Sequence, residues 1–200
     1  MANRNAPSGL SPVRYLNGSP WNGQAQTYWI NSTDTSVYAI GDPIVSSGSA
    51  DARFGVPGIT LAAASASAVR GVLVSAGGLV NGGGFFDPNT LTQTVIPSTK
   101  LRHYYVLVAD DPNILFEIQE GGSGSALTAA DIGMNFYLKS GTNNGYVSGW
   151  LLDNATASTT STYQLRAWGL SQRTDNAFGA YAKWLVSINN HELKAGTAGV

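Results

Sequence analysis

The sequence contains no cysteine, so disulfide bonds and thiolate metal sites are excluded. Charged residues make up only 12% of the 200 residues, against a usual share of ~25% in globular proteins. The 11 Lys and Arg residues are scattered and no two are adjacent, whereas a protein that binds nucleic acid normally presents a basic stripe. Neither nucleic acid nor an anionic membrane is therefore expected as a partner.

Long apolar runs are also missing. No stretch reaches the roughly 18 consecutive apolar residues that a membrane-spanning helix needs. The N-terminal stretch lacks the apolar core of a signal peptide, so synthesis in the cytoplasm is expected. Glycine, Ser, Thr and Asn are abundant, and 43% of the residues are hydrophobic, which is enough for a core. This composition favours many short strands, since exposed helix faces usually draw on Glu, Lys, Arg and Gln.

Alternating apolar and polar residues predict several β-strands, including those in TYWI, RGVLVSA and TSTYQLRAWGLS. In the final strand, within AYAKWLVSINNHEL, Trp184, Val186 and Ile188 share one face. The stretch SGTNNG predicts a hairpin turn, and SALTAADIG predicts one short helix capped by Thr128 and Asp131.

No helix long enough to connect parallel strands is predicted, which excludes a doubly wound sheet. We expect a mainly β fold, an antiparallel β-sandwich or β-barrel of jelly-roll-like form, with an extended N-terminal arm and one or two short helices.

The arm is predicted over residues 1–26, followed by a single antiparallel β domain over 27–200. Proline interrupts the first 26 residues three times, and their apolar residues follow no period. Such an arm either packs on its own domain or docks on a neighbouring subunit. Because aromatic side chains dominate interface energetics, Trp21, Tyr28 and Trp29 are the candidate partner-interface residues, with ordinary core packing as the alternative.

Signatures of catalysis, metal binding and phosphate binding are missing. His103 and His191 are the two histidines, and HEL at His191 lacks the second histidine of a zinc motif. GGSGS and YVSGW do not match the elbow that carries a nucleophilic serine. The glycine-rich stretch GGLVNGGGFFDPN lacks the phosphate-binding pattern and predicts a surface loop. No catalytic residue, cofactor or metal is expected.

The acidic residues are predicted to be structural. The following lie beside Ser, Thr, Pro, Asn or Gly, as in local side-chain turns: Asp34, Asp42, Asp51, Asp87 and Asp153. In LRHYYVLVADDPNILFEIQEGG, ADDPN predicts a hairpin or a sharp turn between two strands. Ile114, Phe116 and Ile118 are then expected to point inward, with Leu115, Glu117 and Gln119 outward. An enzyme using Asp110 or Glu117, and a sugar-binding module using surface aromatics, are the alternatives.

Several phrases carry a resemblance over roughly residues 36–200: YYVLVADDPNILFEIQE, TDNAFGAYAKW, INNHEL and the small-residue tail KAGTAGV. With them, the chain resembles capsid-decoration (cement) and other minor capsid proteins of tailed bacteriophages. The resemblance implies a non-enzymatic β-domain on the outside of a phage head, bridging major capsid subunits, and a homodimer or homotrimer. A tail, neck or receptor-binding fibre component that contacts another virion protein or a host glycan is the alternative.

Overall fold

The computed structural model describes residues 3–65, 67–77 and 94–199, together with the backbone of 79–80 and 83–84. It is built from short strands, in chain order β1 (Ser11–Tyr15), β2 (Gln26–Ile30), β3 (Tyr38–Ala39), β4 (Pro43–Ala50), β5 (Pro57–Leu61), β6 (Gly71–Ser75), β7 (Leu79–Val80), β8 (Gly83–Gly84), β9 (Val95–Ile96), β10 (Tyr104–Ala109), β11 (Ile114–Gly121), β12 (Asn135–Phe136), β13 (Leu138–Lys139), β14 (Leu151–Asp153), β15 (Leu165–Leu170) and β16 (Lys183–Ile188). The prediction of a mainly β protein is confirmed.

Five of these strands close into a barrel, in the order β10-β2-β5-β4-β6. Its interior is filled by one side of each strand, including Ile30, Ile44, Leu73, Val106 and Val108, none of which has exposed surface. In a small barrel the interior is filled by side chains, and burial of their apolar surface is the main contribution to the stability of the folded state.

A seven-stranded sheet stands beside the barrel, in the order β12-β15-β16-β11-β14-β13, with β1 paired to β11. The alternation predicted for β16 is confirmed, since Trp184 and Val186 are fully buried and Ile188 nearly so. Phe116 and Ile118 of β11 pack in the same core. Val72 and Ala109 of the barrel strands join this cluster, so the two sheets share a core.

The segment between β10 and β11 turns sharply and is not a hairpin. β10 pairs with β2 and β6 in the barrel, whereas β11 pairs with β1, β14 and β16 in the sheet. Asp111 makes the turn by accepting the backbone N–H of Asn113 at 2.8 Å. Two strand pairs, β2 with β5 and β11 with β14, are parallel, so the barrel and the sheet are each mainly and not wholly antiparallel.

The N-terminal segment contacts the chain's own domain. β1 pairs antiparallel with β11, and Leu10 is only 1% exposed within the main core. Further back, the side chain of Asn3 donates to the carbonyls of Ala177 and Ala180 at 2.8 and 3.0 Å. These are the contacts of the first alternative raised from the sequence, a segment packed on its own domain.

The predicted helix forms as a single 3-10 turn, Ala129–Asp131, with the expected capping box. Thr128 Oγ1 accepts the N–H of Ala130, and Asp131 Oδ2 accepts the N–H of Thr128 at 2.7 Å. The predicted hairpin also forms, but its second strand, β14, begins later than expected, so that the loop covers 140–150. Within the surface loop predicted at 77–89, the described backbone at 79–80 and 83–84 forms β7 and β8, which pair antiparallel, and most of the other residues lie outside the described ranges.

Candidate functional site

The turn role predicted for the aspartates is confirmed wherever the structure describes them. Asp51 accepts the backbone N–H groups of Arg53 and Phe54, and Asp153 accepts that of Ala155. Asp34 and Asp42 also bind nearby backbone N–H groups. Asp87 lies outside the described residues. Short carboxylates used in this way fix loops between strands and are not free for chemistry.

Asp110 belongs to a polar network between the barrel and the turn. The phenol of Tyr28 donates to its Oδ2 at 2.7 Å, while the Arg70 Nε donates to the Tyr28 oxygen at 2.8 Å. Arg70 also lies 3.4 Å from the same carboxylate. Burial, reinforced by the hydrogen bond to Asp110, raises the pKa of Tyr28 to about 12. The phenol therefore stays protonated at neutral pH and bridges Asp110 and Arg70 by one hydrogen bond to each.

Glu117 is paired in the same structural manner. Its Oε1 lies 3.1 Å from Nη1 of Arg173 and 3.7 Å from Nζ of Lys183, and the Ser171 hydroxyl donates to its other oxygen. Asp110 and Glu117, the two residues of the enzyme alternative, are thus each held by cations. They lie on separate elements, and the structure does not bring them together as one acid pair.

Two neighbours of Glu117 are buried in the structure. Gln119 was expected on the solvated face but is only 2% exposed, because the N-terminal segment covers it and Ala6 N–H donates to its Oε1 at 2.8 Å. Glu120, to which no face was assigned from the sequence, is fully buried. Alternation from Ile118 was the signal that could have placed it on the inner face.

The two histidines are also separate. Nδ1 of His103 accepts the backbone N–H of Ser32, and Nδ1 of His191 accepts that of Leu193, each at 3.0 Å. Burial lowers the pKa of His191. Across 3–65, 67–77 and 94–199, no group of three His, Asp or Glu side chains could hold a metal ion. No helix among those residues is long and apolar enough to cross a bilayer.

The three predicted interface residues occupy the protein's own packing. Tyr28 lies in the barrel interior, and Trp29 packs with Tyr105 outside it; the two are 3% and 6% exposed. Trp21 is half-buried against the main core. None of them offers a large surface to a partner in this fold, so their placement gives no support to the interface prediction.

An apolar groove of about 440 Å³ lies on the outer face of the seven-stranded sheet. We call it the sheet groove. Its floor includes Leu115 and Leu185, which face away from the main core. Its rim holds large apolar side chains that are 36–49% exposed: Leu16, Ile132, Trp168 and Phe178. Contiguous exposed apolar side chains of this kind mark surfaces that contact another molecule, whereas single ones are ordinary.

Two β-bulges shape this groove. In β15 the register shifts between Ala167 and Gly169, so that Trp168 is an extra residue on the outer face. Its indole N–H donates to the Ser187 hydroxyl at 2.9 Å, which fixes the ring's orientation. Bulges of this kind re-aim side chains beside functional sites. From the sequence alone, Trp168 was not distinguished from a core tryptophan, because alternation does not reveal a bulge.

The second bulge lies in β1, between Pro12 and Arg14. Without it, Val13 would oppose Leu115; with it, Arg14 does, and so faces the groove. Arg14 is exposed and is the charged side chain among the groove's lining residues. It forms no salt bridge with any residue that the structure describes. The groove is therefore apolar with a positive charge at one side.

Comparisons of the chain with protein-family models, with curated proteins and with solved structures found no match.

Proposed function

We propose that this is a structural protein of a bacteriophage virion that binds the outside of the head and stabilises the shell by bridging major capsid subunits. It acts without catalysis and without a cofactor, as a homodimer or homotrimer on the capsid surface, after synthesis in the host cytoplasm. The proposal combines the resemblance of YYVLVADDPNILFEIQE and TDNAFGAYAKW to phage decoration proteins with the geometry of the sheet groove.

The sheet groove is the observation that carries the proposal. Trp168 and Phe178 are each 49% exposed beside an apolar floor, whereas Trp29, Trp150 and Trp184 are buried. Leaving such surface in water has no benefit for folding, since burying it would stabilise the protein by about 25 cal/mol per Å². Tryptophan held in a fixed orientation is typical of the residues that dominate protein–protein binding.

The polar groups support a binding role over an enzymatic one. Asp110 and Glu117 are held by cations, and Asp34, Asp42, Asp51 and Asp153 serve turns. A general acid or base needs a carboxyl group that can reach a substrate proton, which these arrangements do not offer. Repetition over a shell makes even a modest groove effective, because several weak contacts in one oligomer act together.

The test is co-sedimentation of the purified protein with empty heads of the phage that encodes it, assembled without this protein. Trp168→Ala should lose most binding, by about 10-fold or more. Tyr146→Ala is the matched control: Tyr146 is 71% exposed but does not line the groove, so binding should be unchanged. Absence of binding by the wild-type protein, or equal binding by the Trp168 variant, would refute the proposal.

A tail, neck or fibre component that binds a host glycan is the second candidate. The observation that favours it is the fixed, half-exposed Trp168 ring, since such a ring can also stack on a sugar face. A glycan array separates the two: binding to sugars that is lost in Trp168→Ala, with no affinity for heads, would favour this second candidate.

A further inference from the structure

We propose that the sheet groove takes a short apolar peptide segment of its partner, and that Arg14 selects segments carrying a carboxylate. This inference rests on the proposed function for the identity of the partner, the major shell protein. The chemistry of the segment follows from the groove itself. An acidic residue flanked by apolar ones would place its carboxylate on Arg14 and its apolar side chains between Trp168 and Phe178.

The position of Arg14 is the first argument. A regular β1 would place Arg14 opposite Ile114, whose side chain is buried in the main core. The bulge at Val13 instead places Arg14 opposite Leu115, at the groove. A bulge interrupts the hydrogen bonding between two strands at one position. Here it moves the guanidinium of Arg14 from the inner face of the sheet to the wall of the groove.

The charge of the groove is the second argument. Arg14 is charged, and the other lining residues are apolar or neutral: the polar one, Gln172, uses its amide to donate to the Leu170 carbonyl at 3.1 Å. Elsewhere on the same sheet, Arg173 is neutralised by Glu117 and Asp175. Arg14 has no acidic partner among the described residues, so its guanidinium is available to one brought by a ligand.

The shape of the site is the third argument. A groove of about 440 Å³ holds a few side chains, and not the surface of a whole domain. Guanidinium groups recognise carboxylates through two parallel hydrogen bonds, which gives directional selectivity beyond simple attraction. An apolar groove with one guanidinium at its wall therefore fits a short acidic-apolar peptide better than a basic or uncharged one.

A peptide array tests the inference without phage heads. Eight-residue peptides, apolar apart from a central Glu, Gln or Lys, are immobilised at high density and probed with the labelled full-length protein. We expect wild-type binding to favour Glu over Gln by roughly 3- to 10-fold and Lys to bind least. Arg14→Gln should remove the preference and keep the apolar binding. Arg53→Gln, which changes an arginine away from the groove, should keep the preference.

Equal binding of the Glu and Gln peptides by the wild type, or a preference that persists in Arg14→Gln, would overturn the inference. Binding to heads is scored separately. Suppose that Trp168→Ala loses binding to heads, while Arg14→Gln binds heads with the affinity and the salt dependence of the wild type. The carboxylate selection is then wrong, and the proposed function stands. If the array shows the predicted preference but the protein does not bind heads, the peptide chemistry stands and the shell partner is wrong.

Discussion

The indole N–H of Trp184 donates a hydrogen bond of 3.0 Å to Oε2 of Glu120, and neither residue has exposed surface. The backbone N–H of Leu127 donates to the same oxygen at 3.1 Å. The other carboxyl oxygen, Oε1, has no hydrogen-bond partner in the part of the chain that the structure describes. A carboxyl group placed in this way is costly to ionise, because its charge would be removed from water without a counterion.

We predict that ionisation of Glu120 contributes a decrease in the free energy of unfolding as pH rises above about 4.3, the ordinary pKa of Glu. Burial raises the pKa of Glu120, so between the two pKa values the folded protein holds a proton that the unfolded chain has released. Below the unfolded pKa both states are protonated and the effect is absent; above the folded pKa the loss is complete. Burial also raises the pKa of Asp42, which adds a contribution of the same sign.

Urea unfolding of wild type and Glu120→Gln from about pH 4.5 to 8 measures this effect. The amide cannot ionise, so the stability of the variant relative to wild type should increase with pH. If the difference in stability between Glu120→Gln and wild type stays constant with pH, Glu120 carries no such cost.

Truncation of two tryptophans should lower the free energy of unfolding by very different amounts. Trp184→Ala removes a fully buried ring from the main core and should lower the free energy of unfolding by about 3–5 kcal/mol. Trp168→Ala removes a half-exposed ring and one hydrogen bond to Ser187, so it should cost about 1.5 kcal/mol or less. Denaturant titration compares them directly. Comparable losses would mean that Trp168 is a core residue and not a surface anchor.

The N-terminal segment should contribute to stability. Leu10 is buried in the main core beside β1, so Leu10→Ala should lower the free energy of unfolding by about 2–5 kcal/mol. Leu16→Ala, at a position 36% exposed on the groove rim, should cost about 1 kcal/mol or less. Thermal or urea unfolding gives both values. An unchanged stability of Leu10→Ala would indicate that the segment is not packed on its own domain.

The Tyr28 network should lose stability at alkaline pH. The unfolded phenol ionises near 10, whereas the pKa of Tyr28 is about 12 in the fold, so stability falls as pH rises between these values. Tyr28→Phe should show a shallower decline there, and near neutral pH should be less stable by about 1–2 kcal/mol, because Asp110 and Arg70 lose their shared partner. Urea titrations at neutral pH and above about pH 10 test this, and an unchanged alkaline slope would contradict it.

Much of the fold could be predicted from local patterns. Alternation in KWLVSI fixed which face of β16 is buried, and Thr128 with Asp131 marked the capped turn. These features depend on residues close in sequence, which is why they were accessible. The inner position of Glu120 was open to the same reasoning, by alternation from Ile118, but no face was predicted for it.

The sheet groove could not be predicted, for a physical reason. Its geometry depends on register shifts at Val13 and Trp168, and register is set by pairing between strands distant in sequence. The same holds for Tyr28 and Trp29, whose aromatic character suits an interface and a core equally. Only closure of the barrel places Tyr28 inside it.

The most direct measurement of the central claim is an electron cryo-microscopy reconstruction of empty heads of the encoding phage with the purified protein bound, at side-chain resolution. We expect density for the protein on the outside of the shell, with Trp168 and Phe178 against a major capsid subunit and the sheet groove filled. Heads without added density, or bound protein whose sheet groove faces solvent while another surface makes the contact, would contradict it.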